Sequence, residues 1–203
     1  MCNLYRMTKA ADEVARLFGV DAPAGSNVGE EVFPGYPGLV LDGAGLRGMI
    51  WGFPLALKGK SGRMLKPKPV NNARSDRLDS FMWRYSFIER RCLIPMTAFA
   101  EAEGPRGAKT RSWFSLPGQP VFTAAGIWRQ SDEWGAAYSM VMTDAAPIFK
   151  GTHDRSPVLL DPDRRDQWMR GTPGEALALC KPYAGSMQVD RTAEPWVQRA
   201  AIG

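Results

Sequence analysis

The chain has 203 residues, 44% hydrophobic and 23% charged, with 26 Lys/Arg against 21 Asp/Glu and a formal net charge of +5. This is the composition of one globular domain over 1–203, with no apolar run near the roughly 20 residues of a membrane span. Three scattered cysteines (Cys2, Cys92, Cys180) and a single histidine, His153, exclude a disulfide framework and the usual multi-histidine centres, so neither metal nor cofactor is expected.

In chain order, the N-terminal stretch lacks a signal-peptide core, so a cytoplasmic protein is expected. Thr8 is placed to cap a helix through Phe18, with Asp12 and Glu13 near its positive end and Val14, Leu17 and Phe18 as its buried face. The Gly- and Pro-rich segment 21–45 reads as loop with one short strand at Leu39–Leu41. Strand-like runs follow at Leu46–Phe53, Arg91–Pro95, Ser112–Leu116, Val121–Trp128, Ala137–Thr143, Pro157–Leu160 and Met187–Arg191. Asp161-Pro162 opens a helix through Arg170, and Glu175–Lys181 forms a second short one. Strands dominate without βαβ alternation, which predicts an α+β domain with a mixed, barrel-like sheet.

Charge is concentrated. Between Lys58 and Arg91 there are ten Lys/Arg and only three acids, Asp76, Asp79 and Glu89. Such a stretch is either a solvated basic face or a surface for a polyanion.

Four short segments carry chemistry-bearing residues: Met1-Cys2-Asn3, Asn71-Asn72-Ala73-Arg74-Ser75, the run from Pro95 to Glu101, and His153-Asp154-Arg155-Ser156-Pro157-Val158-Leu159-Leu160. Cys2 follows the initiator directly, and methionine is clipped when the second residue is small. The mature chain then begins with an amine and a thiol on adjacent carbons. Such a 1,2-aminothiol condenses with an aldehyde to a Schiff base, and the thiol closes a thiazolidine ring. An α-amine of pKa about 7.8 is about 14% neutral at pH 7, against about 0.04% for a lysine. Taken singly, each of these residues has a plainer explanation. Asn72 can shape a turn, Glu101 can be an exposed strand end, His153 a loop residue, and Arg74 and Arg155 surface ion pairs.

Together the four segments resemble the SRAP family, the SOS response-associated peptidase or abasic-site processing proteins. Cys2, Asn72-Ala73-Arg74, Glu101 after Cys92-Leu93-Ile94-Pro95, and the segment from His153 to Leu160 occur in that family's order, and Trp51-Gly52-Phe53 falls where the family has a similar strand. The resemblance implies a mixed α/β fold on a barrel-like sheet. It also implies covalent, reversible capture of abasic sites in single-stranded DNA. On that reading Glu101 is a general acid/base, His153 moves protons in ring formation and reversal, and Asn72 orients the amine or the sugar oxygen. Arg74 and Arg155 hold flanking phosphates. The expected protein is a monomer near the nucleoid, with replication-fork proteins as further partners.

The chain departs from the family pattern at three places. Asn3-Leu4 stand where many members have Gly-Arg, Ala102 replaces a tryptophan after Glu101, and Leu55-Ala56-Leu57 replace an aromatic pair. DNA affinity is therefore more in question than chemistry. Two rival readings stand beside the first. One is an N-terminal-nucleophile cysteine peptidase or amidase, with self-processing as its narrowest form, in which the amine activates the thiol. The other is a non-covalent single-strand binder built on basic and aromatic residues.

Overall fold

The computed structural model describes residues 2–22, 28–149 and 152–196; Met1 and part of the expected 21–45 loop lie outside them. In chain order the elements are β1 (Tyr5–Arg6), α1 (Ala11–Phe18), β2 (Glu31–Val32), β3 (Pro37–Asp42), β4 (Gly45–Trp51), β5 (Phe53–Leu55), β6 (Lys68–Val70) and β7 (Asn72–Arg74). They continue with α2 (Arg84–Glu89), β8 (Arg91–Met96), β9 (Ala98–Glu103), β10 (Thr110–Ser115), β11 (Phe122–Ser131) and β12 (Gly135–Asp144). The last are β13 (Arg155–Pro157), β14 (Leu159–Leu160), α3 (Arg165–Arg170), α4 (Pro173–Ala178) and β15 (Gln188–Pro195).

Five strands close on themselves in the order β12-β4-β3-β8-β11, because β11 also pairs with β12. The closing pair β12–β4 is parallel, and the other pairs of the ring are antiparallel. The mixed barrel-like sheet of an α+β domain is therefore present. A second, five-stranded sheet runs β15-β10-β9-β1-β2. One apolar cluster joins the two. Met49, Trp51, Ile94, Phe122 and Tyr138 from the ring meet Tyr5, Phe99 and Phe114 from the second sheet.

Of the ring strands, β8 and most of β11 and β12 are buried on both faces, which is why their sequences read as near-continuous apolar runs, whereas β4 alternates. On β11, Phe122 and Ala124 point into the shared core, while Ala125 and Ile127 point outward against Phe87 of α2 and Trp168 of α3. Beneath the ring, the hydroxyls of Tyr5 and Tyr138 meet at 2.5 Å. Gly38 lies against both hydroxyls, and a Cβ there would collide with them.

β11 and β12 pair only over part of their length, and the segment from Arg155 to Leu160 fills the gap where they diverge. β13 pairs with the end of β12 and β14 with the start of β11. Between them Val158 donates to Val141 at 2.9 Å and accepts from Ala125 at 2.8 Å. The conspicuous apolar tail of the histidine segment is thus an inserted strand.

Several local expectations change. Thr8 does not cap α1. The cap residue is Ala10, with no side-chain hydrogen bond, and Thr8 instead approaches the Thr97 hydroxyl at 3.4 Å. Val14 and Ala15 form the buried face, and Leu17 is 57% exposed, because the helix packs on Leu39 and Leu46 along a narrower stripe. Gly19 ends the helix at φ +64, a backbone angle L side chains rarely adopt. The Leu46–Phe53 run is broken at Gly52, whose φ of +116 turns the chain into β5. The short strand at Leu39–Leu41 extends to Pro37–Asp42. The helix at 175 starts earlier, behind a Thr172–Glu175 capping box, and ends at Ala178.

Candidate active site

Cys2 sits just before β1, the strand held between β2 and β9 in the second sheet, and is 0% exposed. The backbone is pinned on both sides of it. Leu4 accepts from the Ala100 amide of β9 at 2.9 Å, and the Cys2 carbonyl accepts two side-chain amides, Asn72 at 2.8 Å and Asn71 at 3.0 Å. The Cys2 thiol itself lies 3.5 Å from the Leu4 carbonyl.

Asn72 reaches Cys2 because β7 pairs in parallel with β12, Asn72 lying opposite Met140. The preceding Asn71 carbonyl accepts from Met140 at 2.9 Å and from the Trp51 indole at 3.0 Å, which fixes the doublet. Asn72 is therefore in a strand rather than a turn. Its Nδ2 is spent on Cys2, and its Oδ1 is a buried acceptor with no protein partner. A buried acceptor of this kind calls for a donor.

Glu101 comes from β9, opposite Ser112 of β10, and is 4% exposed. It is not the exposed strand end its residue type favours. Burial raises its pKa from 4.5 to about 7, with Lys109 opposing the shift. The carboxyl and the Cys2 thiol are within electrostatic reach: burial first, and then Glu101, push the thiol far above its ordinary range.

His153 lies on the turn between β12 and β13 and is half-buried. Its Nδ1 accepts from the Arg155 amide at 2.9 Å, so the neutral ring carries its proton on Nε2. Burial lowers its pKa, which keeps it neutral at physiological pH. Lys109 pulls down both Glu101 and His153, so the two groups share one electrostatic neighbourhood.

Arg74 and Arg155 flank this centre on opposite edges of β12, across from Met142 and Asp144. Neither is an isolated cation. Arg74 pairs with Asp76 at 2.5 Å, and Arg155 with Asp144 at 3.1 Å and Asp76 at 3.7 Å. The basic stretch divides. Lys58, Lys60, Arg63, Lys66 and Lys68 are exposed, whereas Arg91 is 8% exposed and donates to the carbonyls of Phe87, Trp168 and Gly171. Arg91 thus holds α2 and α3 to the ring instead of facing a ligand.

Leu4 is 1% exposed and packs with Ala100 and Trp113. Where many relatives of the resembling family have an arginine, this chain has an apolar plug. Asn71, Glu103 and Thr152 carry no assigned role in the sequence motifs. The first could have been suspected from the doublet, and the second from its two-residue spacing to Glu101 on a strand. Among the described residues no group of His, Cys, Asp and Glu is placed to hold a metal, and no helix is long and apolar enough to cross a membrane.

The chain belongs to the SOS response associated peptidase (SRAP) family, whose model matches residues 1–195. Membership places it in the context of the SOS response and DNA damage. Three solved structures are similar. A Bordetella bronchiseptica protein superposes with a TM-score of 0.79 at 20% identity, covering 94% of this chain and 99% of that one. A Bacteroides thetaiotaomicron protein gives 0.76 at 19% identity, with 94% and 91% covered. A phage-related protein of Bordetella bronchiseptica gives 0.68 at 19%, with 94% of each chain covered. At these identities the likeness speaks for the fold. No curated protein matches the chain.

Proposed function

We propose that this protein captures abasic sites in single-stranded DNA by closing a thiazolidine between the mature N-terminal Cys2 and the open-chain sugar aldehyde. Removal of Met1 is a condition, since an amide nitrogen forms no Schiff base. The α-amine adds to the aldehyde to give a carbinolamine. Glu101, with a pKa of about 7, is protonated often enough near neutral pH to donate a proton to the departing hydroxyl. Water leaves, the thiol adds to the C=N carbon, and its proton passes to the Glu101 carboxylate. Atoms balance: aldehyde and aminothiol join with loss of one water, without redox change. Neutral His153 is suited to carry protons between solvent and this centre, in both directions. Asn71 and Asn72 hold the Cys2 carbonyl, and the open Oδ1 of Asn72 supplies an acceptor for the new ammonium.

The observation that carries this reading is the burial of the Glu101 carboxyl and the Cys2 thiol, 4% and 0% exposed, within electrostatic reach of each other. A cysteine peptidase needs a thiolate, and burial beside a carboxyl works against one. Thiazolidine chemistry starts at the amine and needs the thiol only after the imine exists.

The test is the intact mass after mixing with an abasic single-stranded oligonucleotide. An increase by the oligonucleotide mass less one water supports the reading. Hydrolysis of a peptide or amide without any adduct would replace it with the N-terminal-nucleophile reading.

A further inference from the structure

Glu101 and Glu103 stand two residues apart on β9 and so on the same side of the strand, yet their surroundings are opposite. Glu101 is dry. Glu103 collects four hydrogen bonds from three separate parts of the chain. Ser112 of β10 donates to its Oε2, and Arg191 of β15 donates Nε to Oε2 at 2.9 Å and an η nitrogen to Oε1 at 3.4 Å. The fourth donor is the hydroxyl of Thr152, at 2.9 Å from Oε1. Those bonds hold the Glu103 carboxyl below its usual range.

Thr152 directly precedes His153. Both backbone amides converge on the Phe149 carbonyl, at 2.8 Å and 3.2 Å. Among the described residues no hydrogen bond made by the imidazole leaves its own turn; Nδ1 accepts from the Arg155 amide two residues on. The Thr152–Glu103 bond is thus a link from this turn to the sheet that carries Glu101. We propose that Glu103 is a positioning residue: anchored by Ser112 and Arg191, it accepts the Thr152 hydroxyl and so sets where His153 stands relative to Glu101 and Cys2. What His153 does there rests on the reading above; where it stands does not.

The chain supplies its own probe, because His153 is its single histidine. In protein labelled with 15N-histidine, the ring nitrogens report one titration. Among the described residues, the charges that act on His153 are those of Asp154 and Lys109, and both are retained in the variants below. Thr152→Val removes the donor at nearly constant shape, and Glu103→Ala removes the acceptor. Both are expected to raise the His153 pKa toward its ordinary value, since a released turn is better hydrated. Combining them should add little, because each breaks the same link. Glu103→Gln, which keeps a carbonyl acceptor for Thr152, should restore most of the parent titration. Capture of abasic DNA should slow by about tenfold to about 100-fold in Thr152→Val, with affinity for a non-reactive abasic analogue unchanged. A parent-like His153 titration in both Thr152→Val and Glu103→Ala would overturn the proposal. If the parent forms no adduct while the histidine shifts appear, the capture reading fails and the positioning of His153 stands.

Discussion

The side-chain amide of Asn72 donates to the main-chain carbonyl of Cys2 at 2.8 Å, across a sequence separation of 70 residues. A strand paired to the ring thereby grips the residue proposed to begin the mature chain. Asn71 shares that carbonyl at 3.0 Å, so the two amides are partly redundant in holding it.

That redundancy makes a prediction. Asn71→Ala or Asn72→Ala alone should cost about 1 kcal/mol, because one donor remains. The double variant should exceed the sum, since the carbonyl is then left without its side-chain donors at about 1–3 kcal/mol. Urea midpoints measure this. Capture rates separate the two: only Asn72→Ala also removes the open Oδ1, so it should slow adduct formation more than Asn71→Ala does. Equal rates in both would limit Asn72 to a structural role.

Glu101 predicts a pH dependence of stability. Its folded pKa of about 7 lies above the ordinary 4.5, so the folded state holds its proton more tightly than the unfolded one. Stability is therefore lost as pH rises from about 4.5 to about 7, by at most about 3 kcal/mol. Glu101→Gln cannot ionise. It should unfold at higher urea than the parent above pH 7, with the gap closing below pH 5, and it should slow capture by about 10²–10⁴. A gap that does not change with pH would mean the carboxyl is not held protonated by the fold.

Cys2→Ala keeps the α-amine and loses the ring-closing thiol. The expected result is no heat-stable adduct, while borohydride still traps the Schiff base. Retaining Met1 by blocking its removal should abolish both products. A heat-stable adduct with Cys2→Ala would rule out the thiazolidine.

Of the ring strands, β8, β11 and β12 were legible in the sequence because they are buried on both faces over most of their length and stand out as apolar runs. β7 was not. It has three residues, begins with Asn, and exists through its parallel pairing with β12, a partner no local pattern reveals. Asn72 was recognised from its place in a motif, not from its conformation. α2 was missed for a related reason: its turn exposes Phe81, Tyr85 and Ile88, which blurs the amphipathic signal. Leu4 stands where many family members have an arginine. Its burial against Trp113 adds that an arginine placed there would meet an apolar wall. Likewise the motif pointed to Arg74 and Arg155, but their neutralisation by Asp76 depends on the fold bringing β7 and β13 to opposite edges of β12.

That shared carboxylate yields the last prediction. Arg74 and Arg155 are the flanking cations proposed to bind phosphate, and in the DNA-free protein both lean on Asp76, at 2.5 Å and 3.7 Å. Binding to phosphate would compete with this ion pair, so Asp76 is expected to weaken DNA affinity. With about three phosphate contacts on a single strand, log K should fall against log salt with a slope near −2. Arg74→Ala should reduce the slope by about 0.7 and weaken binding regardless of sequence. Asp76→Asn should do the reverse, tightening binding at low salt, because Arg74 then loses its carboxylate partner and Arg155 keeps only Asp144. Fluorescence anisotropy with a non-reactive abasic analogue over a salt series reads all three proteins. A flat salt response in the parent would remove phosphate binding from these arginines. Unchanged affinity in Asp76→Asn would show that the ion pair does not compete with DNA.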